Sequence, residues 1–126
     1  MLDHISIGVK DIDAARRFYD ETLKPLGYKR LYDGATASGY GEKRPKFWIL
    51  ATDRPVPADA KSGLHISFEA PSRNGVDEFH REALTRGGRD NGKPGLRADY
   101  GPGYYAAFAV DPDGYRLEAH CNEKAA

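Results

Sequence analysis

His4-Ile5-Ser6-Ile7-Gly8-Val9 stands near the start of the chain, and His65-Ile66-Ser67-Phe68-Glu69-Ala70 stands sixty-one positions later. Both open with His-Ile-Ser and alternate small or polar residues with apolar ones. Each is followed by a polar break and a helix-like segment. Alternation of this kind is the period of a half-buried strand. Its recurrence at a fixed offset marks an internal repeat, so the chain reads as two copies of one unit.

In the first copy, residues 2–9 predict a strand with Ile5, Ile7 and Val9 on one face and His4, Ser6 and Gly8 on the other. Asp11 or Asp13 can cap the helix that follows. Ile12, Ala15, Phe18, Tyr19, Leu23 and Leu26 supply its apolar stripe, and Pro25 with Gly27 ends it. Strands are expected at residues 27–33, 35–41 and 47–50, separated by the Asp33-Gly34 turn and a charged turn over residues 42–46.

The second copy repeats the plan. Residues 63–70 predict a strand, and Ser72 can cap a helix that runs to about residue 86 on Val76, Phe79, Ala83 and Leu84. Gly87-Gly88 stops it, sixty positions after Gly27. Residues 89–100 read as irregular and Gly-rich, with a strand end over 97–100. Strands follow at 104–111 and 115–121, joined by the Asp111-Pro112-Asp113-Gly114 turn. The expected organisation is one α+β domain over residues 1–126, made of two βαβββ modules with a pseudo-two-fold repeat. The first module spans residues 1–53, a proline-broken linker 54–62, the second module 63–121 and a tail 122–126.

Bulk properties narrow the function classes. At 126 residues and 40% hydrophobic content, the chain suits one domain with a real core. Nineteen basic residues balance nineteen acidic ones, which argues against nucleic acid or an anionic membrane as partner. Cys121 is the single cysteine, so no intrachain disulfide can form and a reducing compartment is expected. It reads as a small buried hydrophobe. The N-terminus has no secretory signal pattern, and no apolar run approaches the ~18 residues of a membrane span. A cytoplasmic protein is the expectation.

Each half can cover one sheet face with its helix. Ile5, Ile7, Ile66, Phe68, Leu117 and Ala119 would point at the helices. His4, Ser6, His65, Ser67, Glu69, Arg116, Glu118 and His120 would occupy the opposite faces. Such a polar face usually meets water. Here it gathers histidines and a carboxylate on matching strands. His4, His65 and Glu118 form a two-imidazole, one-carboxylate set that can hold a divalent ion and leave positions open for water or substrate. Taken singly, each would be an ordinary strand residue; the paired placement of the histidines is what favours ligation. His80 reads as a surface residue of the second helix. His120 shares the face of Glu118 and is either a substrate contact or the frayed end of its strand.

Trp48, Tyr100, Tyr104, Tyr105, Phe108 and Tyr115 cluster in strands that could wall a small-molecule site, with core packing the competing role for about half of them. Trp48, Tyr104, Tyr105, Arg116 and His120 are the candidate substrate contacts. Lys93, Arg97 and Arg116 can meet an anionic group or serve as solvated surface charge. No dinucleotide fingerprint, phosphate loop, nucleophile elbow or paired-cysteine zinc knuckle is present.

The chain resembles the vicinal oxygen chelate superfamily, which includes glyoxalase I, extradiol dioxygenases, fosfomycin-resistance transferases and bleomycin-resistance proteins. The resemblance covers nearly the whole chain. It rests on Leu2-Asp3-His4-Ile5-Ser6-Ile7 with the opening of the first helix, Gly27-Tyr28, Gly63-Leu64-His65-Ile66-Ser67-Phe68, and Asp111-Pro112-Asp113-Gly114-Tyr115-Arg116-Leu117-Glu118. It implies mixed sheets curved into a cup with helices outside, and a site often shared between the two chains of a homodimer. It also implies a divalent ion (zinc, iron(II), manganese or nickel) on His4, His65 and Glu118. Trp48, Ile49 and Leu50 stand where glyoxalase I carries a fourth ligand, which sets this chain apart from that enzyme. The functional expectation is a metal-dependent enzyme that binds two oxygens of a small substrate, of lyase, isomerase or related type, with Glu118 as ligand and base. The alternative is a protein that sequesters a drug or metabolite without catalysis.

Overall fold

Alternating apolar positions build two sheets of identical layout. The computed structural model describes residues 1–122, so residues 123–126 of the expected tail lie outside the described residues. In chain order the elements are β1 (Ile5–Val9), α1 (Ile12–Thr22), a 3₁₀ turn (Lys24–Leu26), β2 (Lys29–Asp33), β3 (Ala37–Gly41) and β4 (Phe47–Ala51). The second half follows with β5 (His65–Glu69), α2 (Arg73–Thr85), β6 (Arg89–Leu96), a 3₁₀ turn (Ala98–Tyr100), β7 (Tyr104–Val110) and β8 (Arg116–Asn122). One sheet has the order β1-β4-β3-β2 and the other β5-β8-β7-β6. This is the α+β arrangement of two βαβββ units that the repeat predicts.

Both helices begin on side-chain caps. Asp11 accepts from the Ala14 amide at 3.0 Å, and Ser72 accepts from the Gly75 amide at 3.1 Å. The first helix breaks into a 3₁₀ turn at Pro25, and Gly27 closes it at φ 89°.

Two expectations are corrected. Residues 89–100 are not irregular: Arg89–Leu96 pairs with β7 as a full edge strand. Its register shifts twice, between Asp90 and Gly92 and between Gly92 and Gly95. Two bulges and a proline erase the period-two pattern that would reveal such a strand. His80 is not on the surface. It is 8% exposed and meets Asp90 of β6 at 2.8 Å, which ties α2 to that edge.

The helix-covered faces of both sheets meet in one core. Ile7, Val9, Phe47 and Ile49 lie under Phe18, Tyr19 and Leu23, while Ile66, Phe68, Leu117 and Ala119 lie under Val76, Phe79 and Ala83. Phe47 and Phe68 touch edge to face at 5.2 Å and join the two halves. Tyr115 adds a polar link by donating to the Gly8 carbonyl at 2.6 Å. No described helix is long and apolar enough to cross a membrane.

The turn before β8 is held from inside. The buried Asp111 carboxylate accepts from the Tyr19 hydroxyl, and from the amides of Asp113 and Tyr115 at 2.9 and 2.8 Å. Burial pushes its pKa up to about 6 against those hydrogen bonds.

Candidate functional site

The parallel pairing of β5 with β8 places His65 beside Arg116, Ser67 beside Glu118 and Glu69 beside His120. Because strand side chains alternate, these residues share the face that α2 leaves uncovered. The antiparallel neighbour β7 adds Phe108 directly opposite Glu118. Tyr104 comes from four pairs farther along the same strand, on the same face.

Glu118 is the centre of this face. It is 5% exposed, although its neighbours open to solvent. One carboxylate oxygen lies 2.7 Å from His65 Nε2, and the other accepts the Tyr104 hydroxyl. Burial and the Glu118 carboxylate together push the Tyr104 phenol up to about 12, so it stays a donor at neutral pH. The Tyr104 ring stacks on His120 at 4.7 Å and 5°, and Ser67 Oγ is 3.0 Å from His120 Nδ1. Phe108 flanks His65 at 5.9 Å.

His4 sits just before β1 in a separate arrangement. Its Nδ1 meets Asp3 at 2.8 Å, and Asp3 in turn meets Arg44 at 2.6 Å. Arg44, helped by His4, holds the Asp3 carboxyl at about 2. His4 is half exposed with Nδ1 taken by Asp3, so Nε2 is the nitrogen left for a ligand. His4 and His65 both line a cleft of about 900 Å³ at the junction of the halves. Even so, no three His, Cys, Asp or Glu side chains among the described residues come close enough to share an ion.

The other candidates separate by strand parity. Trp48 lies on the open face of the first sheet, where Tyr32 contacts it at 5.2 Å. Gly39 supplies the space, since a Cβ there would fall 2.9 Å from the indole. Tyr105 is on the covered face, where it donates to Asp77 of α2 at 2.6 Å under the Arg73 guanidinium. It is thus not brought to Glu118. Asp3, as the partner of His4, escaped the sequence reading. Its signal was adjacency to a proposed ligand, because a metal-binding imidazole commonly has its second nitrogen fixed by a carboxylate.

As an ion site the donors fit in part. His65 Nε2 and Glu118 Oε1 are already at the spacing of adjacent ligands on one ion, which is about 3 Å for bonds of about 2.1 Å. No third such donor among the described residues closes on this pair.

Comparison with known proteins adds independent findings. Residues 1–119 match the family model for the Glyoxalase/Bleomycin resistance protein/Dioxygenase superfamily. The chain is 31% identical over 124 residues to the uncharacterized protein YqjT of Bacillus subtilis (strain 168), covering 93% of this chain and 95% of that one. It also resembles a crystal structure of a glyoxalase/bleomycin resistance protein from Albidiferax ferrireducens T118. That match has a TM-score of 0.81 and 29% identity and covers 94% and 96% of the two chains. A fosfomycin resistance protein, FosX, from Listeria monocytogenes shares the fold at TM-score 0.68 and 19% identity, over 95% and 91% of the chains.

Proposed function

We propose, for a chain that belongs to the Glyoxalase/Bleomycin resistance protein/Dioxygenase superfamily, a metal-dependent activity on a small oxygen-bearing substrate. The observation that carries this reading is the buried Glu118 carboxylate in contact with His65 on an open sheet face. A buried acid beside an imidazole on an otherwise solvated face has a weak reason to exist as scaffold and a strong one as a ligand pair.

The proposed donor set is His65 and Glu118 of one chain and His4 of a second copy. Within one chain His4 does not reach the pair. Its fixed Nδ1 nevertheless leaves Nε2 in the form a metal ligand needs. A homodimer that apposes the start of β1 on one protomer to β5 and β8 of the other would complete the set. A divalent ion held there supplies Lewis-acid polarisation of bound oxygens.

The chain's own groups do the remaining work. Tyr104 orients the Glu118 carboxylate through one oxygen, and the other, which faces His65, is the one that would serve in ligation or take a substrate proton. Ser67 and His120 present further polar atoms beside it. Phe108 on this face and Trp48 on the first sheet offer apolar wall.

Elemental analysis of the protein and of His4→Ala, His65→Ala and Glu118→Ala variants tests the reading. About one transition ion per chain is expected, lost in each variant without unfolding. Mixing His4→Ala with His65→Ala chains tests the shared site. Mixed dimers regain about one ion per dimer if protomers share ligands, and regain none if each chain binds alone.

A second reading, sequestration of a metabolite without turnover, draws on the half-buried Trp48 and the exposed Tyr32 that packs against it on the first sheet. Ligand binding that survives chelation with no product formed would favour it.

A further inference from the structure

Two arginines bracket Glu118 on the same open face, and neither has an acidic partner among the described residues. Arg116 precedes Glu118 by two positions on β8, so it shares its face, beside His65. Its Nε is buried and makes no hydrogen bond. Arg97 approaches from the other side. Its guanidinium lies over the Phe108 ring at 5.3 Å, and Phe108 stands directly opposite Glu118. Nη2 of Arg97 donates to the Lys93 carbonyl at 2.5 Å, which fixes the head without neutralising it.

Glu118 is in ion-pair range of neither cation; its contacts lie elsewhere. Both oxygens of Glu118 are occupied, one by His65 and one by Tyr104. A buried guanidinium N–H without an acceptor is costly, and it persists where a ligand supplies the acceptor. A guanidinium resting over an aromatic ring spends no N–H donor on it, so its remaining donors can meet a planar anion.

We propose that Arg97 and Arg116 form an anion-binding frame around the His65–Glu118 centre, and that the substrate is a small carboxylate. The carboxylate is read by the arginines, while its neighbouring oxygen approaches His65 and Glu118. This rests on the proposed site for its position but not on the ion, because Arg116 and Phe108 belong to one sheet and Arg97 directly follows its edge strand, all in one chain.

The test is a titration of the metal-free full-length protein with salicylate and with salicylamide. The two share ring and adjacent oxygens and differ in charge. The Nε–H resonances of Arg97 and Arg116 in isotope-labelled protein are the readout. Salicylate is expected to shift both along one saturable curve, with salicylamide at least about tenfold weaker. Arg97→Leu and Arg116→Leu each raise the dissociation constant about tenfold or more, and the Lys variants recover part of the loss. Arg97 lies on the half-exposed edge, so its variant reports even if Arg116→Leu fails to fold.

Equal binding of salicylamide would overturn the proposal, as would affinity unchanged in both Leu variants. Salicylate binding that appears only after zinc is added also overturns it, since the anion would then be reading the ion. If zinc never binds yet salicylate tracks the arginines, the frame stands and the metal reading falls.

Discussion

Tyr104 donates its hydroxyl to the carboxylate oxygen of Glu118 that His65 does not use. The acid is thereby held from both sides in a pocket where it is almost fully covered. A group that fixes a ligand's orientation typically changes ion affinity by tenfold to a hundredfold when removed. Tyr104→Phe is therefore expected to weaken zinc binding by about that factor in a competition assay with a chromophoric chelator. The circular dichroism spectrum should stay unchanged.

The Asp3–His4 contact makes a parallel prediction. Asp3→Ala frees Nδ1 of His4 and lets the imidazole turn, so zinc affinity should fall by about tenfold to a hundredfold. Asp3→Asn, which keeps an acceptor oxygen, should lose less. Equal affinity of wild type and Asp3→Ala would remove His4 from the donor set.

Asp111 predicts a pH dependence of stability. Its pKa is raised to about 6 by burial, from an ordinary value of 3.8. The folded protein therefore holds this proton more tightly than the unfolded chain does. The favourable contribution is fully present below about pH 4 and is lost as pH rises through about 6. Asp111→Asn keeps the acceptor for the Asp113 and Tyr115 amides and removes the charge. The urea midpoint of the variant should fall less than that of the wild type between pH 4 and 6, and the two curves should differ most above that window.

Phe47 and Phe68 predict that the halves unfold together. They close one core across the module boundary, and both are nearly buried. Phe47→Ala should cost about 3–5 kcal/mol. Fluorescence of Trp48, the single tryptophan, and far-ultraviolet circular dichroism should then report one coincident transition. Separate transitions would mean that the modules are independent.

The legible part of this molecule was what alternation encodes. Alternation in the second His-Ile-Ser strand and in residues 115–121 put His65 and Glu118 on polar faces, and the pairing of regular β5 with β8 makes it one face. Strand β6 was hidden because Gly92, Pro94 and Gly95 break its period. Tyr105 could have been assigned correctly: it follows Tyr104 in one strand, so only one of them can face Glu118. His80 was misplaced because its partner Asp90 lies on that hidden strand. The distance from His4 to the pair depends on how two sheets pack, which no local pattern specifies.

The irregularity of β6 also governs how the folded protein meets its own copies in a crowded solution. A straight outer strand offers a row of free amides and carbonyls to any passing chain. Here Pro94 removes one donor, and two register shifts put the rest out of line with a regular ladder. Straightening that edge, by replacing Pro94 and the flanking glycines with residues that favour extended backbone, would turn a self-limiting particle into one prone to grow by strand addition.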